Sequence, residues 1–186
     1  MRRLRLVAQG LAVGLVALLL GLLAWKIAQP DGGQIAAAVA RGEQPAAPGF
    51  DLPLLNGDGS LSLAALRGKP VVINFWGAWC YACKADAPFL QRAHERYGDD
   101  GLVLVGVDTN DFRSSAHRFL KRYGWTFPNV YDGPGKTAER YGTRRFPETF
   151  FVDRDGKVRA TILGAINTDT DRQRFDRAVA TVLAPT

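Results

Sequence analysis

The chain has 186 residues, of which 24 are lysine or arginine and 18 are aspartate or glutamate, and its formal net charge is +6. This length suits one domain with a short appendage. Four of the basic residues and none of the acidic ones precede Asp31, so the remainder carries a formal charge of only +2. That near balance gives no electrostatic basis for binding nucleic acid, and we predict no nucleic-acid partner.

The N-terminal residues predict a membrane anchor. Three arginines lie within residues 1–5, and residues 6–25 form a run of 20 residues without a charge. A helix of that length spans roughly 30 Å, the thickness of the hydrocarbon core of a bilayer. A cleaved signal peptide is the alternative, but its apolar region is typically about 7–15 residues long and ends in small residues. Trp25-Lys26-Ile27 offers no such cleavage site, and Ala38-Val39-Ala40 lies well beyond the apolar run.

We therefore predict an uncleaved signal-anchor over residues 6–28. Basic residues favour the cytoplasmic side of a membrane, so residues 1–5 are expected in the cytoplasm. The rest of this single-pass protein would then lie on the periplasmic or outer side of the cytoplasmic membrane. Residues 29–49 are rich in Ala, Gly, Pro and Gln and predict a flexible linker, with one short helical turn over 35–39 as a further option. A folded domain is expected over residues 50–186.

Strand and helix patterns alternate within that domain. Residues 50–54 and 61–63 predict a β-hairpin, and residues 71–75 and 102–107 predict buried strands. The other expected elements are a helix after Cys83 that ends at Gly98, a helix from Asp111 to Gly124, a strand over 129–131, a helix around 136–141, a hairpin of 149–153 with 157–163, and a last helix that buries Phe175 and Leu183. This order predicts an α/β fold in which helices cover both faces of a mixed sheet.

The only two cysteines, Cys80 and Cys83, stand between a predicted strand and a predicted helix. A C-x-x-C pair in this setting is typical of a redox dithiol. A structural zinc site would need four ligands, but the only histidines, His94 and His117, lack ligand-like spacing. A c-type haem attachment site would need histidine where Lys84 stands. A purely structural disulfide stays open, although a bridge across two residues removes little entropy from the unfolded chain.

The position of Cys80 predicts its role. It should lie at the N-terminus of a helix, where free N–H groups and the helix dipole favour a negative charge. Cysteines in such places have pKa values lowered to about 3.5–7.5, so Cys80 is the predicted nucleophile. Cys83, one helical turn further, is the predicted resolving thiol. We predict no metal and no cofactor, and we expect Trp79 to provide an aromatic surface for substrate.

Residues 47–183 resemble a thioredoxin-fold domain of the membrane-anchored TlpA-like group, which includes the DsbE/CcmG-type and ResA-type cytochrome c maturation proteins. The matching segments are residues 74–84 (NFWGAWCYACK), Pro88 and residues 146–150 (FPETF), together with the N-terminal anchor. The resemblance implies a thiol–disulfide oxidoreductase with a redox-active Cys80–Cys83 disulfide. Its implied direction is reduction of protein disulfides, with apocytochrome c as one candidate substrate and a membrane dithiol carrier as electron donor.

The resemblance also implies a second active-site segment. Pro147 would form a cis peptide bond facing the dithiol, and the backbone around Phe146 would pair with an extended substrate segment. An ordinary proline at the start of a strand is the alternative. Cytosolic thioredoxins have a buried aspartate where this chain has Asn74, so a proton acceptor must come from elsewhere. Glu148 is the candidate base for Cys83, and a solvated strand residue is its alternative.

Several further features leave alternatives open. A thiol peroxidase is one, because peroxiredoxins share a thioredoxin-like core, but they usually place threonine where this chain has Gly77. A tethered binding module that uses the groove beside Trp79 and Pro147 without turnover is another, which the intact dithiol disfavours. Arg144 and Arg145 would either stabilise a thiolate or lie in a solvated loop. Tyr81-Ala82, between the cysteines, lacks the acid that some family members carry there.

Overall fold

The structure, a computed structural model, describes residues 11–23 and 33–184. It divides into two compact units, Met1–Asp31 and Gly32–Thr186. In the first unit, residues 11–23 form a helix with exposed side chains. Within the described ranges, no helix has the length and apolar character needed to cross a membrane. Residues 1–5 and, within the predicted anchor over 6–28, residues 6–10 and 24–28 lie outside the described residues, so the anchor stays a prediction.

The second unit contains a five-stranded sheet, a two-stranded hairpin and five α-helices within residues 33–184. In chain order its elements are α1 (Gln34–Ala40), β1 (Asp51–Pro53), β2 (Ser60–Ser62), a 3-10 turn (Leu63–Leu66), β3 (Val71–Trp76), α2 (Tyr81–Gly98), β4 (Val103–Thr109), α3 (Arg113–Tyr123), β5 (Asn129–Asp132), α4 (Lys136–Tyr141), β6 (Glu148–Val152), β7 (Val158–Leu163) and α5 (Asp169–Leu183). The β1–β2 pair is antiparallel, which confirms the predicted N-terminal hairpin.

The five-stranded sheet is mixed and has the order β5-β4-β3-β6-β7. Strands β3, β4 and β5 are parallel, whereas β6 runs antiparallel to both β3 and β7. All six residues of β3 are buried, as expected for a central strand of apolar residues around one asparagine. The sheet therefore confirms the predicted thioredoxin-like α/β fold.

Helices cover both faces of this sheet. One face, here called the dithiol face, is covered by α2, α3 and α5, whose buried residues form one core with Val72, Trp76 and Phe151. The other, here called the hairpin face, is covered by α1, α4 and the hairpin, which form a second core with Phe75 and Phe150. Because side chains alternate along a strand, neighbouring residues of β3 belong to different cores.

Residues 33–49 correct the linker predicted for 29–49. Helix α1 packs on the hairpin face, where Ile35 is buried, and the following residues pair with the β6–β7 turn. Ala47 N–H donates to the carbonyl of Gly156 at 2.9 Å. The folded domain thus includes residues 33–49, ahead of the predicted start at residue 50. The composition of this segment does not predict its packing, because Ile35 is its only large apolar side chain. Residues 29–32 lie outside the described residues.

Candidate active site

The two cysteines lie at the start of α2. Cys80 is the N-cap residue of this helix, and it is joined to Cys83 by a disulfide with a Cα–Cα distance of 5.3 Å. The backbone N–H of Cys83 donates to Cys80 Sγ at 3.1 Å. An N–H group aimed at the sulfur, together with the helix dipole, favours a thiolate at Cys80 once the disulfide is reduced. The sequence predicts Cys80 at the N-terminus of a helix, and the structure places it there. Its role as nucleophile is inferred from that position.

The loop between β3 and α2 is shaped by Gly77 and Trp79. The Trp79 Nε1–H donates to the carbonyl of Thr109 at 3.2 Å, and the indole lies so close to Gly77 that an added Cβ there would be 2.5 Å from Nε1. The indole is 53% exposed, and its ring centroid is 5.2 Å from that of Phe146. Trp79 therefore presents an accessible aromatic surface directly before Cys80.

Pro147 lies in the loop that precedes β6. The Phe146–Pro147 peptide bond is cis, as the resemblance implies, and the Pro147 carbonyl accepts a hydrogen bond from Gly164 N–H at 2.9 Å. The contact between the rings of Phe146 and Trp79 brings this loop to the loop that carries Cys80. The structure thus brings together the four residues Trp79, Cys80, Phe146 and Pro147. Their roles in substrate binding stay predictions.

Glu148 does not lie where a base for Cys83 is needed. In the β3–β6 pair it stands opposite Phe75, and its Oε1 accepts the backbone N–H groups of Arg144 and Arg145 at 3.3 and 3.2 Å. Paired residues share a sheet face, so Glu148 points to the hairpin face, whereas Cys83 belongs to the core of the dithiol face. Burial raises the pKa of Glu148, and the two N–H groups oppose that shift. Its contacts indicate that it holds the loop before Pro147.

Asn74 lies in the central strand β3. It is buried on the dithiol face, and its Nδ2 donates to Thr149 Oγ1 at 3.0 Å. An amide does not exchange protons near neutral pH, so this residue cannot serve as the base. The proton acceptor must therefore be another group on the same face of the sheet.

Asp86 is the carboxyl group that the sequence interpretation missed. It is fully buried on α2, three residues after Cys83, and residues at this spacing lie side by side on a helix. Asp86 Oδ1 accepts Ile166 N–H at 2.8 Å, while Oδ2 is buried without a protein hydrogen-bond partner among the described residues. Burial raises the pKa of Asp86 to about 7. In the sequence, Asp86 falls between Cys83 and Leu90 on the apolar stripe of α2. This helical spacing could have predicted that its carboxyl group is buried.

Another buried carboxyl group lies at the ends of the parallel strands. Asp108, at the end of β4, is fully buried, and burial together with nearby Asp111 raises its pKa to about 8. The sequence predicts a helix that starts at Asp111, but Phe112 is the N-cap residue of α3 and makes no side-chain cap. Instead, Asp111 Oδ2 accepts Ala78 N–H at 2.6 Å. Asp111 thus ties the loop before Cys80 to the end of β4.

Comparison with curated proteins identifies relatives of this chain. Residues 44–161 match the AhpC/TSA family. The chain is 33% identical over 120 residues to the thiol-disulfide oxidoreductase ResA of Bacillus subtilis (strain 168). The aligned region covers 64% of this chain and 66% of that protein. It is also 33% identical over 130 residues to ResA of Geobacillus thermodenitrificans (strain NG80-2). That aligned region covers 70% of this chain and 74% of that protein.

Solved structures give the same result. A DsbF homologue from Corynebacterium diphtheriae matches with a TM-score of 0.66 and 31% identity, covering 75% of this chain and 88% of that chain. A secreted disulfide oxidoreductase of Mycobacterium tuberculosis, homologous to E. coli DsbE, matches with a TM-score of 0.62 and 26% identity, covering 70% of this chain and 95% of that chain. The chain therefore belongs to the AhpC/TSA family and, within it, to the thiol–disulfide oxidoreductases of the ResA and DsbE kind.

Proposed function

We propose that this oxidoreductase works as a reductant of disulfides in protein substrates. The observation that carries this proposal is the position of Cys80 at the N-cap of α2, where the Cys83 N–H contacts its sulfur. A thiolate is stabilised there, and the exposed indole of Trp79 stands directly beside it. The chain therefore has a nucleophile, a resolving thiol one turn away and a surface on which a protein segment can rest.

The reaction proceeds through a mixed disulfide. The Cys80 thiolate attacks one sulfur of the substrate disulfide, the substrate S–S bond breaks, and its departing thiolate takes up a proton. The Cys83 thiolate then attacks Cys80 Sγ, which releases the second substrate thiolate and forms the Cys80–Cys83 disulfide. Over these two steps, two electrons pass from the dithiol to the substrate. A dithiol carrier in the membrane would return them to the protein.

Asp86 is the group that we assign as proton acceptor for Cys83, in place of Glu148. Among the described residues its Oδ2 has no hydrogen-bond partner, and Asp86 is buried one helical turn after Cys83 on α2. A carboxyl group with a pKa of about 7 can exchange a proton at neutral pH, which a carboxyl group of ordinary pKa does poorly. Deprotonation of Cys83 by Asp86 would make the second step of the exchange fast.

The site of action that we propose is outside the cytoplasmic membrane. Support comes from the uncharged run over residues 6–25 after an arginine-rich N-terminus, which together favour a signal-anchor. In an oxidising compartment the dithiol would become a disulfide, so the protein would need electrons from the membrane dithiol carrier to act as a reductant. Apocytochrome c is the substrate that we propose, because the chain resembles proteins of cytochrome c maturation. Fusion of a reporter enzyme after residue 186 would test the topology, and activity of a cytoplasm-specific reporter would contradict it.

Trapping of the mixed disulfide tests the exchange reaction. In Cys83→Ser the resolving thiol is gone, so the Cys80–substrate disulfide should persist and appear on non-reducing gels as a dithiothreitol-sensitive adduct. Cys80→Ser is the matched control and should give no adduct, because the thiol that attacks the substrate is missing. Equal adduct formation by both variants would contradict the assigned roles of the two cysteines.

A thiol peroxidase is a weaker proposal for this site. Peroxiredoxins usually place threonine at the position of Gly77, where any side chain would collide with the indole of Trp79. The present loop geometry therefore favours disulfide exchange.

A further inference from the structure

An open groove adjoins the dithiol on the α3 side. It has a volume of about 640 Å³ and lies between the first turn of α2 and the helix α3. Trp79 and Tyr81, which flank Cys80 in the chain, line one wall, and Phe112 lines the other. Tyr81 is 86% exposed and Phe112 is 79% exposed. Large aromatic side chains that remain this exposed around a reactive residue mark a contact surface for another molecule.

The groove is also basic. Lys84 on α2 and both Arg118 and Arg122 on α3 line it. In the described part of the chain, no carboxylate forms an ion pair with any of these three side chains. Among the residues that the structure describes, Arg118 donates only to the hydroxyl of Ser115, at 2.9 Å. Since the chain after residue 31 has a formal charge of only +2, three cations without ion pairs in one groove are a local concentration of positive charge.

The only carboxylate among the described residues that line this groove is already occupied. Asp111 accepts Ala78 N–H with Oδ2 at 2.6 Å and Phe112 N–H with Oδ1 at 2.7 Å. It therefore stabilises the walls and offsets only one of the three positive charges, so the groove keeps a net positive charge. A groove with aromatic walls and uncompensated positive charge complements a segment that carries carboxylates and an apolar side chain.

We propose that this aromatic–basic groove, formed by Trp79, Tyr81, Lys84, Phe112, Arg118 and Arg122, binds an acidic segment of the protein substrate whose cysteine reacts with Cys80. This inference rests on the proposed disulfide exchange at Cys80 and adds a sequence preference to it. The apolar side chain of the substrate lies between the aromatic walls, and its carboxylates pair with the three cations. A second part of the substrate, on the other side of Trp79, would contact the Phe146–Pro147 loop.

The dimensions limit where the acidic residues must lie. At 1.5 Å per residue, the ten steps from Phe112 to Arg122 span about 15 Å along α3. An extended peptide covers that distance with four to five residues, because each adds about 3.3 Å. The carboxylates should therefore lie within about five residues of the reacting cysteine.

Single-turnover reduction of matched peptides tests this proposal. Three peptides would share one internal disulfide and differ only in the five residues beside one cysteine, which are Asp and Glu, Asn and Gln, or Lys. The reduced full-length chain, in excess, should reduce the acidic peptide roughly tenfold faster than the neutral one at low ionic strength and the basic peptide more slowly. The ratio of acidic to neutral rates should fall towards one in 0.5 M salt.

Charge reversal in the groove gives the decisive comparison. The double variant Arg118→Glu/Arg122→Glu should bring the ratio of acidic to neutral rates to one or below. Arg118→Gln/Arg122→Gln should give a ratio between that value and the wild-type ratio, and it keeps the test available if charge reversal disturbs folding. The matched control is Arg174→Glu/Arg177→Glu, on the exposed face of α5, which should keep the wild-type ratio.

Two results would overturn the proposal while leaving the exchange function intact. The first is equal reduction of acidic and neutral peptides by the wild-type chain. The second is an acidic preference that survives in both groove variants. Failure of the wild-type chain to reduce any of the peptides would instead overturn the exchange function, and the groove proposal with it.

Discussion

Replacing Asp86 with asparagine should make the stability of the protein less sensitive to pH. The Asp86 carboxyl group has an ordinary pKa of 3.8, and burial raises it to about 7 in the folded protein. Between these two values the folded chain holds a proton that the unfolded chain has released, so its stability falls as the pH rises. Above about pH 7 the carboxyl group is ionised in both states, and the cost stays constant.

The two pKa values set the size of the effect. By proton linkage, a carboxyl group with pKa values of 3.8 and about 7 destabilises the folded state by about 2 kcal/mol at pH 5 and about 4 kcal/mol at pH 8. The amide of the Asp86→Asn variant would not titrate, and its side-chain oxygen can still accept the Ile166 N–H. The free energy of unfolding of Asp86→Asn, relative to that of the wild-type chain, should therefore rise by roughly 2–3 kcal/mol between pH 5 and pH 8.

Urea unfolding of the oxidised proteins at both pH values measures this difference. The comparison between variant and wild type matters because other buried carboxyl groups, Asp108 and Glu148, also have raised pKa values. Asp58→Asn, which changes an exposed carboxyl group in the β1–β2 turn, is the matched control, and its difference should stay constant within about 0.5 kcal/mol. If the Asp86→Asn difference also stays constant, the burial-driven pKa shift of Asp86 is refuted.

Other predictions concern the proton acceptor and the loops around the dithiol. Asp86→Asn should slow the resolution of a Cys80 mixed disulfide roughly 100-fold at pH 7, measured by rapid acid quench, whereas an unchanged rate would exclude Asp86 as the acceptor. Glu148→Ala should lower the free energy of unfolding by about 2 kcal/mol, because the N–H groups of Arg144 and Arg145 lose their acceptor, and Glu148→Gln should recover most of it in urea unfolding. Gly77→Thr should displace the indole of Trp79 and slow reduction of a protein substrate roughly tenfold in an insulin-type turbidity assay, without producing peroxide turnover.

The sheet and the dithiol could be predicted from the sequence because their signals are local. The apolar run over residues 71–75 predicted the central strand, and the C-x-x-C motif directly after it predicted a thiol at a helix N-terminus. Both predictions depend only on residues that are neighbours in the chain. The cis bond before Pro147 came from the resemblance alone, since nothing in the residues themselves specifies it.

The misplaced predictions depended on distant partners. Helix α1 packs through Ile35, and the turn that receives its following residues lies more than 100 positions later, so composition alone suggested a linker. The direction of Glu148 follows from its register opposite Phe75, which the sequence does not reveal. Asp86 is different, because an acidic residue on the apolar stripe of α2, one turn after Cys83, could have been noticed from helical spacing alone.

The reduction potential of the Cys80–Cys83 pair tests the proposed reductant most directly. Equilibration of the full-length chain with defined ratios of reduced and oxidised glutathione, followed by alkylation and mass measurement, gives this potential. A protein that reduces disulfides should have a potential at or below about −230 mV, which allows electrons to flow from its dithiol to substrates. A value of about −120 mV, typical of a strong thiol oxidant, would contradict the proposed direction.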